Sequence, residues 1–284
     1  MKERFLLFTQ KEIQQMLMFS KETTLSLDQG RTQSIVIPEK DAIVIDGKRV
    51  SRKDFTKRIS ADVFYTIESV DEENGRLARV SFFDEQTQLV YQLVPTKDWP
   101  TFRLSSTPMH QIVHMSPKED TLAKLKPLGE ITGVVLDTCC GLGYTAICAS
   151  KKADRVITCE RDPNVLFLTR ISPWSAALYE HSKIEIKESI VEEVIAGMDD
   201  ESVDVILHDP PAVALSSNLF TSDFYDDMFR VLVAGGKLYH YCPRPQKTKG
   251  REFYKEVSTR LKKIGFVIDS YQEDVSGLYA HKPK

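Results

Sequence analysis

The 284-residue chain has no apolar run of about 20 residues, the length a helix needs to cross a bilayer, and no signal-type apolar segment. Its five cysteines form no C-x-x-C pair, two are adjacent at 139 and 140, and the total is odd. That usage argues for reduced thiols, and together these absences predict a cytoplasmic protein with no membrane partner. A net charge of −3 and a pI near 6.1 exclude a globally basic nucleic-acid binder. Neither G-x-G-x-x-G nor G-x-x-x-x-G-K-[ST] is present, so the dinucleotide and P-loop phosphate cradles are both excluded. His110 and His114 lie four apart without a nearby cysteine or acid to complete a metal site, and no metal is expected.

Against these absences stands the stretch 134–144, VVLDTCCGLGY, followed by 156–160, VITCE. An apolar run of strand length ends in Asp137, turns through Gly141 and Gly143, and opens into a helix at 144–150. This is the first strand–turn–helix of a nucleotide-binding sheet. The glycines let backbone N–H groups approach a ligand where a Cβ would obstruct. Glu160, ending the next apolar run, can accept two hydrogen bonds from a ribose diol.

Residues 183–189 alternate as a strand ending near Glu188, and 204–209 form another apolar strand. The latter stops at Pro210 and Pro211, which cannot continue a ladder. A helix at 224–233, a glycine turn entering a strand that ends at Tyr241, a helix at 251–264 and closing strands at 265–269 and 277–281 follow. The alternation predicts an α/β fold with a doubly wound, mostly parallel sheet. Ligands of such sheets sit beyond the carboxyl ends of the strands, so Asp209 is expected to face the same crevice as Gly141 and Glu160. A carboxylate there can orient an amine or hydroxyl and accept its proton. Strand alternation points His208 the other way, and at least one of Tyr239, His240 and Tyr241 belongs to the core.

The pattern Asp137-x-x-x-Gly141-x-Gly143 resembles motif I of the class I S-adenosylmethionine-dependent methyltransferases, with Cys139 where many members carry another glycine. Glu160 to Asn164, Pro173 to Ser175, His208 to Pro211 and Phe224-Tyr225 extend the resemblance, over about residues 109–266, to a group of predicted methyltransferases best known from archaea. It implies a Rossmann-like, seven-stranded sheet and S-adenosylmethionine as cofactor. Asp137, Gly141 and Gly143 would hold the methionine portion, Glu160 the ribose and Glu188 the adenine edge. Asp209-Pro-Pro-Ala212 is similar to the [Asn/Asp/Ser]-Pro-Pro-[aromatic] motif of amino-group methyltransferases. That likeness implies Asp209 as the catalytic residue, with Pro210, Pro211 and Tyr241 on the substrate side. Ala212 removes the aromatic face on which a flipped base would stack.

Residues 1–110 read as a smaller β-rich domain that covers the crevice or selects the substrate, and 111–284 as the cofactor-binding domain. The first has a helix at 10–19 and strands at 34–38, 42–48, 63–67, 78–83 and 89–94, with hairpin turns at Asp46-Gly47 and Asn74-Gly75. Lys48, Arg49, Arg52, Lys53, Lys57 and Arg58 would suit RNA phosphates; the basic loop 247–251 could hold a substrate phosphate or carboxylate. Trp174 either anchors its helix to the sheet or lines the pocket. The expected activity is methyl transfer to a nitrogen or oxygen of an acceptor that is RNA, protein or a small molecule. Aminopropyl transfer from decarboxylated S-adenosylmethionine and a non-catalytic cofactor-binding module are the alternatives, and the oligomeric state carries no sequence signal.

Overall fold

The computed structural model describes residues 5–57, 59–213, 216–242 and 253–284. The basic loop at 247–251 and Arg58 lie outside the described residues. Two compact units emerge: Met1–Pro117 with Arg170–Trp174, and Lys118–Thr169 with Ser175–Lys284.

In the first unit, α1 (Gln10–Met18) starts where Thr9 and Glu12 form a capping box. Strands β1 (Thr23–Leu25), β2 (Ser34–Pro38), β3 (Ala42–Ile45) and β4 (Lys48–Ser51) precede the short α2 (Arg52–Thr56), and β5 (Tyr65–Ser69) and β6 (Asn74–Arg79) follow. They make one sheet in the order β1-β2-β3-β4-β6-β5. Its buried face packs Val36, Ile43, Ile45 and Val50 against Ile13, Met16 and Phe55 of the helices. Strands β7 (Ser81–Asp84), β8 (Leu89–Val94), β9 (Thr101–Leu104) and β10 (Thr107–Pro108) form a second, antiparallel sheet.

Two expectations change here. Asp46-Gly47 is the left-handed hairpin pair expected, with φ of 49° and 85°. Asn74-Gly75 instead opens β6, because the Asp71 carboxylate accepts from the backbone N–H groups of Glu73 and Asn74 and closes the turn upstream. Gly75 serves a close approach there, since a Cβ would stand 2.6 Å from Ile67 Cγ2. The run 78–83 is two strands, broken at Val80, whose N–H donates to Phe64 O and whose carbonyl accepts from Leu93 N. The basic run is largely engaged within its own unit. Lys48 donates to the carbonyls of Asp71 and Glu72, Arg49 pairs with Glu39, Arg52 donates to Glu39 O, and Lys57 pairs with Asp54.

The second unit begins with α3 (Pro117–Leu125) and continues through β11 (Val134–Asp137), α4 (Tyr144–Ala149), β12 (Arg155–Cys159), α5 (Pro163–Ile171), α6 (Ala177–Glu180), β13 (Ile184–Lys187) and α7 (Val191–Ala196). After β14 (Val203–His208) come α8 (Ser222–Val231), β15 (Leu232–Tyr241), α9 (Phe253–Ile264), β16 (Val267–Gln272) and β17 (Gly277–His281). The seven strands lie in the order β13-β12-β11-β14-β15-β17-β16. Strands β11 to β15 pair in parallel and β17 runs antiparallel between β15 and β16, so the sheet is mixed in orientation. Buried side chains fill both faces, as a sheet covered by helices requires: Leu136, Ile206 and Leu238 on one, Val135, Val205 and Tyr239 on the other. The glycine turn expected before the fifth strand lies within β15, where Gly235 (φ 79°) accompanies a register shift against β14.

Trp174 does not line the pocket described below. It groups with the first unit, where its ring lies 6.0 Å from that of Phe64.

Candidate active site

The loop after β11 is held from below by Asp137. This side chain is fully buried, and its two carboxyl oxygens accept from Thr145 Oγ1 at 3.0 Å and Thr158 Oγ1 at 2.6 Å. Burial pushes its pKa up to about 7 despite those bonds. Asp137 therefore fastens the loop to α4 and β12. Gly141 and Gly143 both take positive φ, 52° and 79°. At Gly143, the N-cap of α4, a Cβ would come within 2.3 Å of Leu178, so only glycine fits. Cys139 and Cys140 are free thiols whose pKa burial raises well above the ordinary value, and nucleophilic chemistry at either is disfavoured.

Glu160 leaves the end of β12 and turns back toward this loop. Its Oε2 accepts from Gly141 N at 3.0 Å and its Oε1 from Asp162 N at 3.1 Å, and the Arg161 backbone N–H also bonds to this carboxylate. Burial pushes this carboxyl up to about 7. Beside it opens a pocket whose walls include Cys139, Ser189, Ile190, Val191, Pro211 and Leu219. Of the residues expected around one crevice, Glu160 lines this pocket, whereas Gly141 and Asp209 are not among its lining residues. Glu188 likewise is exposed and not among the pocket's lining residues; its neighbours Ser189 and Ile190 are.

Asp209, at the carboxyl end of β14, belongs to a second cluster that the sequence reading missed. Its Oδ2 accepts from Lys124 Nζ at 2.8 Å, and the same ammonium pairs with Asp120 at 2.8 Å. Lys124 and Asp120 are almost fully buried, whereas the Asp209 side chain is 22% exposed. Burial alone would depress the lysine, but Asp209 and Asp120 outweigh it and raise its pKa, so it stays charged. Burial, only partly countered by Lys124, raises that of Asp120. Tyr241 lies above, its ring centroid 5.9 Å from Lys124 Nζ, and Tyr279 Oη donates to Lys124 O. A signal was present in the sequence: Asp120 and Lys124 stand at i and i+4, the spacing of a helical ion pair. Nothing local marked the pair as facing a residue 85 positions away.

His208 points away from Asp209, as alternation requires. Its Nδ1 contacts Thr138 Oγ1 at 2.8 Å and its Nε2 meets Leu219 O at 3.0 Å, an arrangement satisfied with Nε2 protonated and Nδ1 accepting. Burial lowers its pKa far below the usual range, and His240, packed against it at 4.6 Å, is pushed down to about 4 by burial. Both are neutral structural imidazoles. His110 contacts Thr101 Oγ1, and among the described residues no group of three or more His, Cys, Asp or Glu side chains could hold a metal. No helix among the described residues is long and apolar enough to cross a membrane.

The family model described as methyltransferase small domain matches residues 121–269, from Thr121 on α3 to Asp269 on β16. The chain belongs to this family. With it the chain falls in the class I S-adenosylmethionine-dependent methyltransferase superfamily. An uncharacterized protein of Methanocaldococcus jannaschii is 37% identical over 273 residues, 93% of this chain and 91% of that one. Among solved structures, spermidine synthase from Thermotoga maritima superposes with a TM-score of 0.53 at 17% identity, covering 77% of this chain and 78% of that one. A spermidine synthase bound to the transition-state analogue AdoDATO gives 0.54 at 17% identity over 72% and 75% of the two chains. At such identity these likenesses show a shared fold.

Proposed function

We propose that the chain binds S-adenosylmethionine in the Glu160 pocket and transfers its methyl group to a nitrogen or oxygen nucleophile held at Asp209. The observation that carries the reading is the Glu160 carboxylate. It is fixed by the backbone N–H groups of Gly141 and Asp162 and lines a pocket with the apolar side chains Ile190, Val191 and Leu219. That set fits a nucleoside: a carboxylate for the ribose diol and apolar walls for the adenine. Gly141 and Gly143 leave backbone room for the methionine portion. Ser189 and Ile190 would flank the adenine, and Glu188, one residue earlier, would meet its edge only from the rim.

When bound, the cofactor supplies an electrophilic methyl group on a sulfonium. The protein's part is position. Pro210 and Pro211 fix the backbone that carries Asp209, and Lys124 ties down one of its oxygens. The other oxygen accepts no hydrogen bond among the described residues and is available to an N–H or O–H of the acceptor.

Calorimetric titration of S-adenosylmethionine, S-adenosylhomocysteine and decarboxylated S-adenosylmethionine, with Glu160→Ala as control, tests the reading. Binding of the first two, lost in the variant, is expected. Preference for the decarboxylated form would move the assignment to aminopropyl transfer, which the two carboxylates around the single Lys124 ammonium would also suit. Absence of binding by all three would end it. Tight cofactor binding with no effect of any Asp209 substitution on function would point to a non-catalytic module.

A further inference from the structure

The cluster around Asp209 has more hydrogen-bond acceptors and negative charge than its own donors satisfy. Two carboxylates, Asp120 and Asp209, share one ammonium, Lys124. Asp209 keeps one oxygen without a hydrogen bond among the described residues while its side chain reaches solvent. The decisive atom is Tyr239 Oη. Tyr239 is fully buried on β15 and its hydroxyl has no hydrogen-bond partner among the described residues; its ring lies 5.6 Å from that of Tyr279, whose Oη donates to Lys124 O, and it shares a strand face with Tyr241, the ring beside Lys124 Nζ, so it borders the same cluster. A buried hydroxyl without a partner carries an uncompensated desolvation penalty. That cost is removed when a ligand supplies the missing N–H.

An incoming neutral base would leave the charge imbalance untouched, and Ala212 offers it no stacking face. An anion would meet two carboxylates. A primary ammonium brings one positive charge and three N–H bonds, and the half-buried Tyr241 adds an aromatic face beside the cluster that already attracts one ammonium. We propose that this cluster binds the acceptor as a primary alkylammonium, its charge compensated by Asp209 and its N–H bonds received by Asp209 Oδ1 and Tyr239 Oη, with Tyr241 at the entrance. The proposal deepens the methyltransferase reading and rests on it only for what then happens to the amine.

The test is titration of n-butylamine, with butan-1-ol as the uncharged control, into the full chain with and without S-adenosylhomocysteine, followed by ligand-detected NMR. Tyr239→Phe removes only an unpartnered oxygen, so the variant is expected to fold, with circular dichroism as the check. The amine should bind at least about tenfold more tightly than the alcohol. Tyr239→Phe should weaken the amine by about tenfold while leaving S-adenosylhomocysteine affinity unchanged. Equal binding of amine and alcohol, no amine binding, or full amine affinity in folded Tyr239→Phe would overturn the proposal. Loss of S-adenosylhomocysteine binding alone, with amine binding intact, would overturn the methyltransferase reading and leave the amine site standing.

Discussion

Asp137 and Glu160 stand at the ends of neighbouring strands and burial pushes both carboxyls up to about 7, yet they set opposite pH dependences. Asp137 has a folded pKa above its ordinary 3.8. Between those values the folded chain holds a proton that the unfolded chain has released. Its contribution to stability is therefore fully present below pH 3.8 and lost as pH rises through about 7, with a slope of up to about 1.4 kcal/mol per pH unit. Urea unfolding at a series of pH values should show this decline, and Asp137→Asn, whose amide can accept from one threonine hydroxyl and donate to the other, should flatten it. On the proposed reading, ribose hydroxyls would donate to the ionised form of Glu160, so cofactor affinity should rise with pH through about 7. Glu160→Ala should weaken S-adenosylhomocysteine binding by about 10–100-fold at pH 8 and abolish its pH dependence, with the fold intact by circular dichroism. Asp209→Asn should retain cofactor binding and lose about 10²–10⁴-fold in turnover. Lys124→Met, which strands two carboxylates, should cost about 3–5 kcal/mol in the same urea experiment. Glu160 and Asp209 were legible because each ends an apolar run. Lys124 was not: its importance comes from a contact across 85 positions that no local pattern encodes.

At the scale of the element, legibility followed how local the determining force was. The boundaries of β2 and β8 could be read because alternation and flanking turn residues act within a few positions. The break at Val80 could not, since it arises where the chain pairs with Phe64 on one side and Leu93 on the other. Asn74-Gly75 misled for a related reason: the Asp71 side chain supplied a competing turn. The loop between β11 and α4 is the element where sequence and packing agree most closely, and it yields a test. In Gly143→Ala the new Cβ would approach Leu178 Cδ1 to 2.3 Å at a φ of 79°. Leu178 is 2% exposed within the core and cannot swing aside. Backbone strain and overpacking together should cost about 2–5 kcal/mol. Adding Leu178→Ala should relieve the clash, so the double variant should lose at least about 1 kcal/mol less than the two singles summed. Strict additivity in urea unfolding would mean that α6 shifts freely and does not press on the loop.

For the whole molecule, alternation foretold a doubly wound sheet, but not that β17 inserts antiparallel between β15 and β16. That placement depends on the turn at residues 273–276, where Ser276 takes a φ of 51° and returns the chain. Nor did the sequence announce that Arg170–Trp174, far downstream, groups with the first 117 residues. Every residue lining the Glu160 pocket, and every member of the Asp120–Lys124–Asp209 cluster, falls in the other unit. A fragment of residues 118–284 should therefore bind S-adenosylhomocysteine about as tightly as the full chain, because it retains every lining residue of the pocket. The fragment keeps Trp174 and loses Trp99 along with Phe64. Its fluorescence should shift to the red as that ring loses its neighbour, reporting the separation in the same sample used for binding. Retained affinity together with altered acceptor preference would assign acceptor selection to the first unit. Loss of affinity in a folded fragment would mean that the cofactor pocket depends on the first unit for its shape.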